Sequence, residues 1–225
     1  SRFSFSKESG PPIENFLRGK VAYLFDKYVN DFEVSSMLLC VGPSNQETVG
    51  LDALIEEWIV KTHGQKAEDR SVMPCSLFLI LTKFDQEFTN AHGVEVGPQR
   101  WQTRLKASLE EPFGGKRSSL TNWVTHWDKN GPFRNVFWLR NPNADQSHII
   151  EYSSEPGRSD EVSYRKDKDN FISQLRDSFI TSDVANKYFR NPTVCWDEAL
   201  KLNDGGAGYI LKELAKIASK ATRDK

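Results

Sequence analysis

The segment Cys75–Asp85 reads CSLFLILTKFD, an unbroken apolar run that ends in a polar tetrapeptide. Pro74 precedes it, and a short apolar run bounded in this way predicts a strand buried on both faces of a parallel sheet. Ligands of open α/β sheets bind just beyond the carboxyl ends of the strands. The tetrapeptide Thr82–Asp85 is therefore where a binding site is expected.

Two further apolar runs have a similar character. Ser36–Val41 stops at a Gly-Pro pair, and Asn135–Leu139 stops at Arg140-Asn141-Pro142. The first predicts a strand covered on both faces, and the second predicts a third strand. The strand ends Val41 and Leu139 are expected on either side of Leu81, with all three strands parallel.

Helical periodicity occupies the intervals between these runs. Apolar residues recur at helical spacing over 17–28, 51–59, 101–109, 120–127, 171–179, 196–202 and 209–217. The first helix is expected to pack on a sheet, and His63 and Gly64 close the second as its last turn and C-cap. Residues 143–168 carry many charges and predict a long exposed loop, with Ile149 and Ile150 tucked back.

The alternation of helices and strands predicts an α/β fold, a doubly wound parallel sheet connected by right-handed crossovers. Three strands are few for such a sheet, because both faces of its outer parts need cover. The sheet is thus expected to be incomplete at the N-terminus, with its missing strands before Ser1. We predict a main domain over residues 1–190 and a helical C-terminal extension over 191–225.

Composition argues against several classes of function. Lys and Arg number 30 against 31 Asp and Glu, so the basic excess of a nucleic-acid-binding protein is missing. The sequence has neither a membrane-length apolar run nor a signal pattern at its start. Cys40 and Cys75 are interpreted as small core residues, so no disulfide or zinc framework is expected and the chain is predicted to be cytoplasmic.

The tetrapeptide Thr82-Lys83-Phe84-Asp85 matches the chemistry of guanine recognition. A carboxylate at Asp85 can accept hydrogen bonds from the ring and exocyclic N–H groups of guanine, which adenine does not present in that arrangement. The stem of Lys83 can lie over the base, with its ammonium attracted to the ring system. The alternative is that Lys83 and Asp85 form a solvated pair at a strand end.

Other candidate sites are weaker. Gly205-Gly206-Ala207-Gly208 before a helix could cradle a phosphate, but it follows a helix and lacks the P-loop pattern, which favours a flexible turn. Gly114-Gly115-Lys116-Arg117 is interpreted as a loop for the same reason. The four histidines lack metal-ligand spacing, so no metal site is predicted. Aromatic residues Trp123, Trp127 and Trp138 are interpreted as core rather than as a binding platform.

Three blocks of the sequence resemble one family. Leu17–Phe25 (LRGKVAYLF), Ser36–Glu47 (SMLLCVGPSNQE) and Leu79–Asp85 (LILTKFD) are similar to the SrfC-like family of bacterial virulence factors. The resemblance implies the second half of a P-loop GTPase-like domain, whose phosphate-binding loop and magnesium motif lie before Ser1. It also implies that GTP or GDP with magnesium is the ligand and that the protein can be delivered to a host.

The resemblance further implies which residues contact the nucleotide. Thr82, Lys83 and Asp85 match the guanine-specificity motif, while Arg140 and Asn141 stand where the last base-contacting loop is expected. No catalytic residue is identified, since phosphoryl transfer depends on lysine, magnesium and water-positioning groups that this chain lacks. The chain alone is therefore expected to bind guanine nucleotides weakly or not at all, and whether it belongs to an enzyme stays open.

The sequence is consistent with two functions. The first is a guanine-nucleotide-binding GTPase-like domain of a virulence-associated protein. The second is a non-catalytic interaction module on the same α/β scaffold, which binds unidentified protein partners through the helices after residue 166. A P-loop pattern after an apolar strand, upstream in the gene, would distinguish them.

Overall fold

A computed structural model describes residues 36–43, 50–89, 96–114, 122–154 and 160–223, together with four helical positions, Lys20, Tyr23, Leu24 and Lys27. Residues 1–35 and 36–225 form two separate units, and the sheets belong to the second. The four positions of the first unit agree with the predicted helix over 17–28. Its other residues, and the predicted packing of this helix, lie outside what the structure describes.

The central sheet has three parallel strands in the order β1 (Met37–Val41), β2 (Leu77–Leu81) and β3 (Val136–Trp138). Val41 and Trp138 are both in register with Leu81, so the three carboxyl ends meet at one edge. This confirms the predicted parallel pairing and the central position of the strand before Thr82. A separate antiparallel pair consists of β4 (Ile150–Tyr152) and β5 (Glu161–Tyr164).

Besides the four helical positions of the first unit, eight α-helical segments lie among the residues described by the structure. They are α1 (Leu51–His63), α2 (Ala67–Ser71), α3 (Pro98–Leu105), α4 (Glu111–Phe113), α5 (Asp169–Ile180), α6 (Asp183–Tyr188), α7 (Pro192–Ala199) and α8 (Ala207–Arg223). A π-helical turn, Lys106–Glu110, joins α3 to α4, and short 3₁₀ helices cover Phe84–Phe88 and Lys166–Lys168. In this part of the chain every helix is too short or too polar to span a bilayer.

The core lies on both faces of the central sheet. All five residues of β2 are buried, as its continuous apolar sequence predicts. On one face, Ile210 of α8 packs against Phe78 and Phe137. On the other, Trp138 contacts Trp101 of α3 at a centroid distance of 6.1 Å. The α/β class is therefore confirmed, with helices packed on both sides of a small parallel sheet.

Helices of the predicted extension contribute directly to this core. Trp196 of α7 is fully buried and its ring lies 5.5 Å from Phe179 of α5 and 5.7 Å from Trp101. Burial of a large aromatic side chain contributes about 2–3 kcal/mol. The boundary between residues 190 and 191 stays a prediction, but the helices beyond it stabilise the same core.

Strand β1 differs from its prediction. Leu38 is 47% exposed and Cys40 is also exposed, whereas Leu39 and Val41 are buried. Among the described residues β1 pairs only with β2, so it is an edge strand of which one face is covered. A continuous apolar run does not distinguish an edge strand from a central one. The interpretation of Cys40 as a core residue was therefore wrong.

The predicted helix over 120–127 is also wrong for its described part, 122–127. Asn122 accepts a hydrogen bond from Thr125 N through its side chain at 3.2 Å, which favours a turn over a helix. The chain makes a single turn here. The turn does not continue into a helix, because Trp127 N donates to Gly131 O at 2.9 Å. Trp123 and Trp127 are nevertheless buried, so their interpretation as core residues is confirmed.

The predicted loop 143–168 contains regular structure. Strands β4 and β5 pair within it, and Ile149 and Ile150 are each only 1% exposed. The two isoleucines are tucked back as predicted. The sequence did not predict these strands, because β4 and β5 each expose one side to solvent and are only three and four residues long.

Candidate functional site at the carboxyl edge of the sheet

The backbone of the tetrapeptide is held between the ends of the two neighbouring strands. Thr82 N donates to Val41 O at 2.9 Å on one side, and Phe84 N donates to Leu139 O at 3.1 Å on the other. Lys83 lies between them in the left-handed conformation, with φ 58 and ψ 39, and is exposed. Such a φ is uncommon for a residue other than glycine, so this turn is imposed by the strand ends around it.

Phe84 anchors the turn in the core. Its ring is fully buried and lies 4.7 Å from Trp138 and 5.1 Å from Trp196, between ring centroids. The 3₁₀ helix Phe84–Phe88 begins at this residue. Because the aromatic ring fixes the start of the 3₁₀ helix, the direction of the next side chain, Asp85, is fixed as well.

The Asp85 carboxylate is buried but weakly held. The residue is 6% exposed, and its two oxygens accept one hydrogen bond each, from Asn141 N and from Gln146 Nε2, both at 3.4 Å. Those distances are long for a carboxylate acceptor, whose hydrogen bonds are usually shorter than 3 Å. Among the described residues no Lys or Arg forms an ion pair with Asp85. The carboxylate therefore retains much of its capacity to accept hydrogen bonds.

The loop after β3 brings both donors to Asp85. Asn141 begins a turn, with its carbonyl accepting from Ala144 N and its side chain accepting from Asn143 N, each at 3.0 Å. Further on, the backbone N–H of Gln146 donates to the Tyr152 hydroxyl at 2.9 Å. These contacts hold residues 141–146 in a defined loop beside the tetrapeptide. Asp85 and Asn141, both predicted to contact the base, therefore lie next to each other.

Arg140 is placed differently from the other predicted site residues. Its guanidinium is buried and forms an ion pair with both carboxylate oxygens of Glu161, and it also donates to Lys201 O at 3.2 Å. Burial acts to lower the pKa of Arg140, but the hydrogen bonds to Glu161 outweigh it and raise that pKa above its usual value. The guanidinium thus serves β5 and the turn after α7 rather than Asp85.

The glycine-rich turn packs closely against the end of β3. Gly205 and Gly206 have φ 62 and φ 96, and Gly205 O accepts from Arg140 N at 2.9 Å. An added Cβ at Gly205 would lie 2.5 Å from Arg140 O, so only glycine permits this approach. Asp204 already accepts from Gly206 N at 3.1 Å and from Gly208 N at 3.0 Å. The turn therefore has a structural task at this edge of the sheet.

A cluster of charges in the core beneath the site has no counterpart in the sequence prediction. Glu87 is 6% exposed and pairs with Arg100 at 2.8 Å and with Arg104 at 2.9 Å. The signal for it was the spacing of Arg100 and Arg104, four residues apart on one face of α3. Gln146 was missed as well, because nothing in a polar loop distinguishes a buried amide from an exposed one.

The histidine at the end of α1 is another buried ionisable group. His63 Nε2 accepts from Ser76 N at 3.0 Å, and burial lowers the pKa of His63 to about 4. Its prediction as the last residue of the helix is confirmed. In the described part of the chain, no group of His, Cys, Asp and Glu side chains is arranged to hold a metal ion.

Comparison with known proteins identifies the family. A family model described as putative bacterial virulence factor matches residues 4–225. No curated protein and no solved structure matches the chain. The match covers almost the entire sequence, including the tetrapeptide, the loop after β3 and the helices beyond it. The chain therefore belongs to the family of putative bacterial virulence factors.

Proposed function

We propose that this chain forms the base-binding part of a guanine-nucleotide-binding domain, in which Asp85 reads the guanine edge. One observation carries the proposal. A buried carboxylate stands at the carboxyl end of the central parallel strand, and among the described residues it accepts two long hydrogen bonds, both from neutral groups. Ligands of parallel α/β sheets bind at this edge.

The chemistry of the carboxylate favours guanine. An ionised carboxylate only accepts hydrogen bonds, and guanine presents two adjacent donors, a ring N–H and an exocyclic amine. Charge-assisted hydrogen bonds of normal length would replace the two 3.4 Å contacts. Adenine would leave the buried carboxylate without matching donors, and unpaired buried groups discriminate strongly between ligands.

The neighbouring residues fit the same role. Lys83 is exposed, so its stem is free to cover one face of a base. Thr82 keeps the turn attached to Val41, and Asn141 adds a backbone N–H beside Asp85. In this proposal Arg140 acts indirectly, by holding the strand end from which the loop departs.

GTP or GDP is the proposed ligand, with magnesium as its counterion. No phosphate or magnesium ligand is proposed in this chain, so the chain alone is expected to bind weakly. Hydrolysis is not part of the proposal. The family description is in keeping with delivery of the protein to a host cell.

An interaction module is the second candidate, and a different observation favours it. Leu38 and Cys40 form an exposed apolar strip on β1, a strand that pairs on one side among the described residues. Exposed apolar strand edges are sites where other chains add. Under this alternative, Asp85 is a structural carboxylate that closes the loop 141–146.

Replacing Asp85 with Asn in the complete gene product separates the two candidates. The amide presents a donor where guanine also presents one, so affinity for GTP should fall at least tenfold, which is about 1.4 kcal/mol or more. Xanthine carries a carbonyl in place of the exocyclic amine, so xanthosine triphosphate should gain relative to GTP. The measurement is the ratio of the two dissociation constants, from calorimetry.

Asp145→Asn is the matched control, because Asp145 is an exposed carboxylate on the same loop. It should leave the ratio unchanged. If Asp85→Asn also leaves the ratio unchanged while the protein stays folded, Asp85 does not read a base and the interaction module gains support.

A further inference from the structure

Gln146 is a buried amide whose NH₂ group has a hydrogen-bond partner, whereas its oxygen has none among the described residues. The residue is 5% exposed, and its Nε2 donates to Asp85 Oδ2 at 3.4 Å. Its Oε1 is buried and has no hydrogen-bond partner in the described part of the chain. The orientation follows from the carboxylate, which attracts the NH₂ group and repels the amide oxygen. Buried polar atoms without partners are rare in folded proteins.

The backbone of Gln146 is fixed, so the side chain is the part that can move. Its carbonyl accepts from Ile149 N and from Ile150 N, both at 2.8 Å, and its N–H donates to Tyr152. Among the described residues the Gln146 side chain makes one hydrogen bond, the long contact with Asp85, so rotation would break that bond alone. The contact with Asp85 is therefore weak and easily reversed.

The two groups that face Asp85 have the same chemistry as the guanine edge. One is a planar N–H, from Asn141, and the other is an NH₂ group on a planar amide, from Gln146. Guanine offers the same two types of donor, a ring N–H and an exocyclic NH₂. We infer that the Gln146 side chain is an internal plug of the base site, which occupies Asp85 in the nucleotide-free protein and must rotate away before guanine binds.

This inference rests on the proposed function and adds a regulatory element to it. With a plug, the observed association constant equals the intrinsic association constant multiplied by the fraction of molecules in which the site is open. Opening precedes binding, so the plug lowers the association rate constant and leaves the dissociation rate constant unaffected. A residue that contacts the bound base, or that merely supports the fold, would act mainly on dissociation.

The decisive variant is Gln146→Met in the complete gene product. Methionine keeps the length and apolar packing of the side chain but has no N–H donor. The association rate constant for a fluorescent GDP, measured by stopped flow, should rise about 2- to 10-fold, the value expected for one long and weak hydrogen bond. Dissociation should stay unchanged, and ADP should not gain. Asn143→Ala, which removes an exposed amide from the same loop, is the control.

The outcomes distinguish this inference from the proposal beneath it. If the wild-type protein binds GDP and Gln146→Met binds it equally or more weakly, the plug is refuted and base reading by Asp85 stands. If neither protein binds GDP, both ideas are refuted. A second measurement needs no variant. The side-chain amide of Gln146 in wild type, followed by NMR, should exchange with solvent faster after GDP is added, and an unchanged rate would refute the plug.

Discussion

Two buried carboxylates flank the carboxyl edge of the sheet, and they are held in opposite ways. Glu161 is 4% exposed, pairs with the guanidinium of Arg140 and accepts from Asn203 N at 2.6 Å. Asp85 is 6% exposed and has two neutral donors at 3.4 Å. Equal burial therefore conceals a large difference in electrostatic compensation.

The difference separates a structural group from a candidate ligand-binding group. A buried charge is costly unless it is paired and hydrogen-bonded, and Glu161 meets that condition within the chain. Asp85 meets it poorly, so a ligand that brings donors has more to gain at Asp85 than at Glu161. Arg140, which the sequence associates with the base, belongs to the structural side of this comparison.

The largest expected effect is the loss of Glu161. Glu161→Ala leaves the guanidinium of Arg140 buried and unpaired, which should lower the free energy of unfolding by about 3–5 kcal/mol. Urea unfolding measures it. Glu151→Ala, on the paired strand and exposed, is the matched control and should cost less than about 1 kcal/mol. A small loss at Glu161 would remove the contrast with Asp85.

An intermediate effect on stability is expected from His63, which is buried in its neutral form. Protonation would place an uncompensated charge in the core, so the pH dependence of stability measures that cost. Its folded-state pKa of about 4 lies below the usual value of 6.5. The unfolded chain therefore binds the proton first, and stability that is complete above pH 6.5 is lost as the pH falls toward 4. The loss attributable to this group is about 3 kcal/mol.

His63→Gln should remove that part of the pH dependence, measured as the difference between wild-type and variant unfolding free energies at pH 7 and pH 4.5. His126→Gln, at an exposed position, should retain the wild-type slope. If His63→Gln keeps the wild-type slope, the histidine is protonated in the folded protein and its hydrogen bond from Ser76 is not formed.

The smallest effect on stability is expected at Asp85 itself. In Asp85→Asn the new amide still accepts from Asn141 N, and the unpaired Oε1 of Gln146 can turn to accept from its NH₂ group. Urea unfolding should change by less than about 1 kcal/mol. Glu87→Gln, two residues on in the same 3₁₀ helix, should cost more because it weakens pairs with two arginines. A loss at Asp85 as large as that at Glu161 would make Asp85 structural.

Local pattern was sufficient for the parts of the fold that bury themselves completely. Every residue of β2 is buried, and the strands on either side of it pair with it in parallel, as the alternation with helices predicts. The structural features that the sequence did not predict have one cause in common. The edge position of β1, the turn at Asn122 and the hairpin of β4 and β5 depend on what lies beside a segment, which the sequence of the segment does not contain.

At the site, the sequence by itself determined the kind of chemistry, a carboxylate two residues beyond a lysine at the end of a buried strand. Only the tertiary structure decided which charges are compensated. It turned Arg140 toward Glu161, brought Gln146 over Asp85 from 61 residues away and, within the described part of the chain, left the Gln146 amide oxygen unpaired. The physical reason is that strand periodicity is a local property of the chain, whereas the pairing of a buried charge depends on groups that meet only after folding.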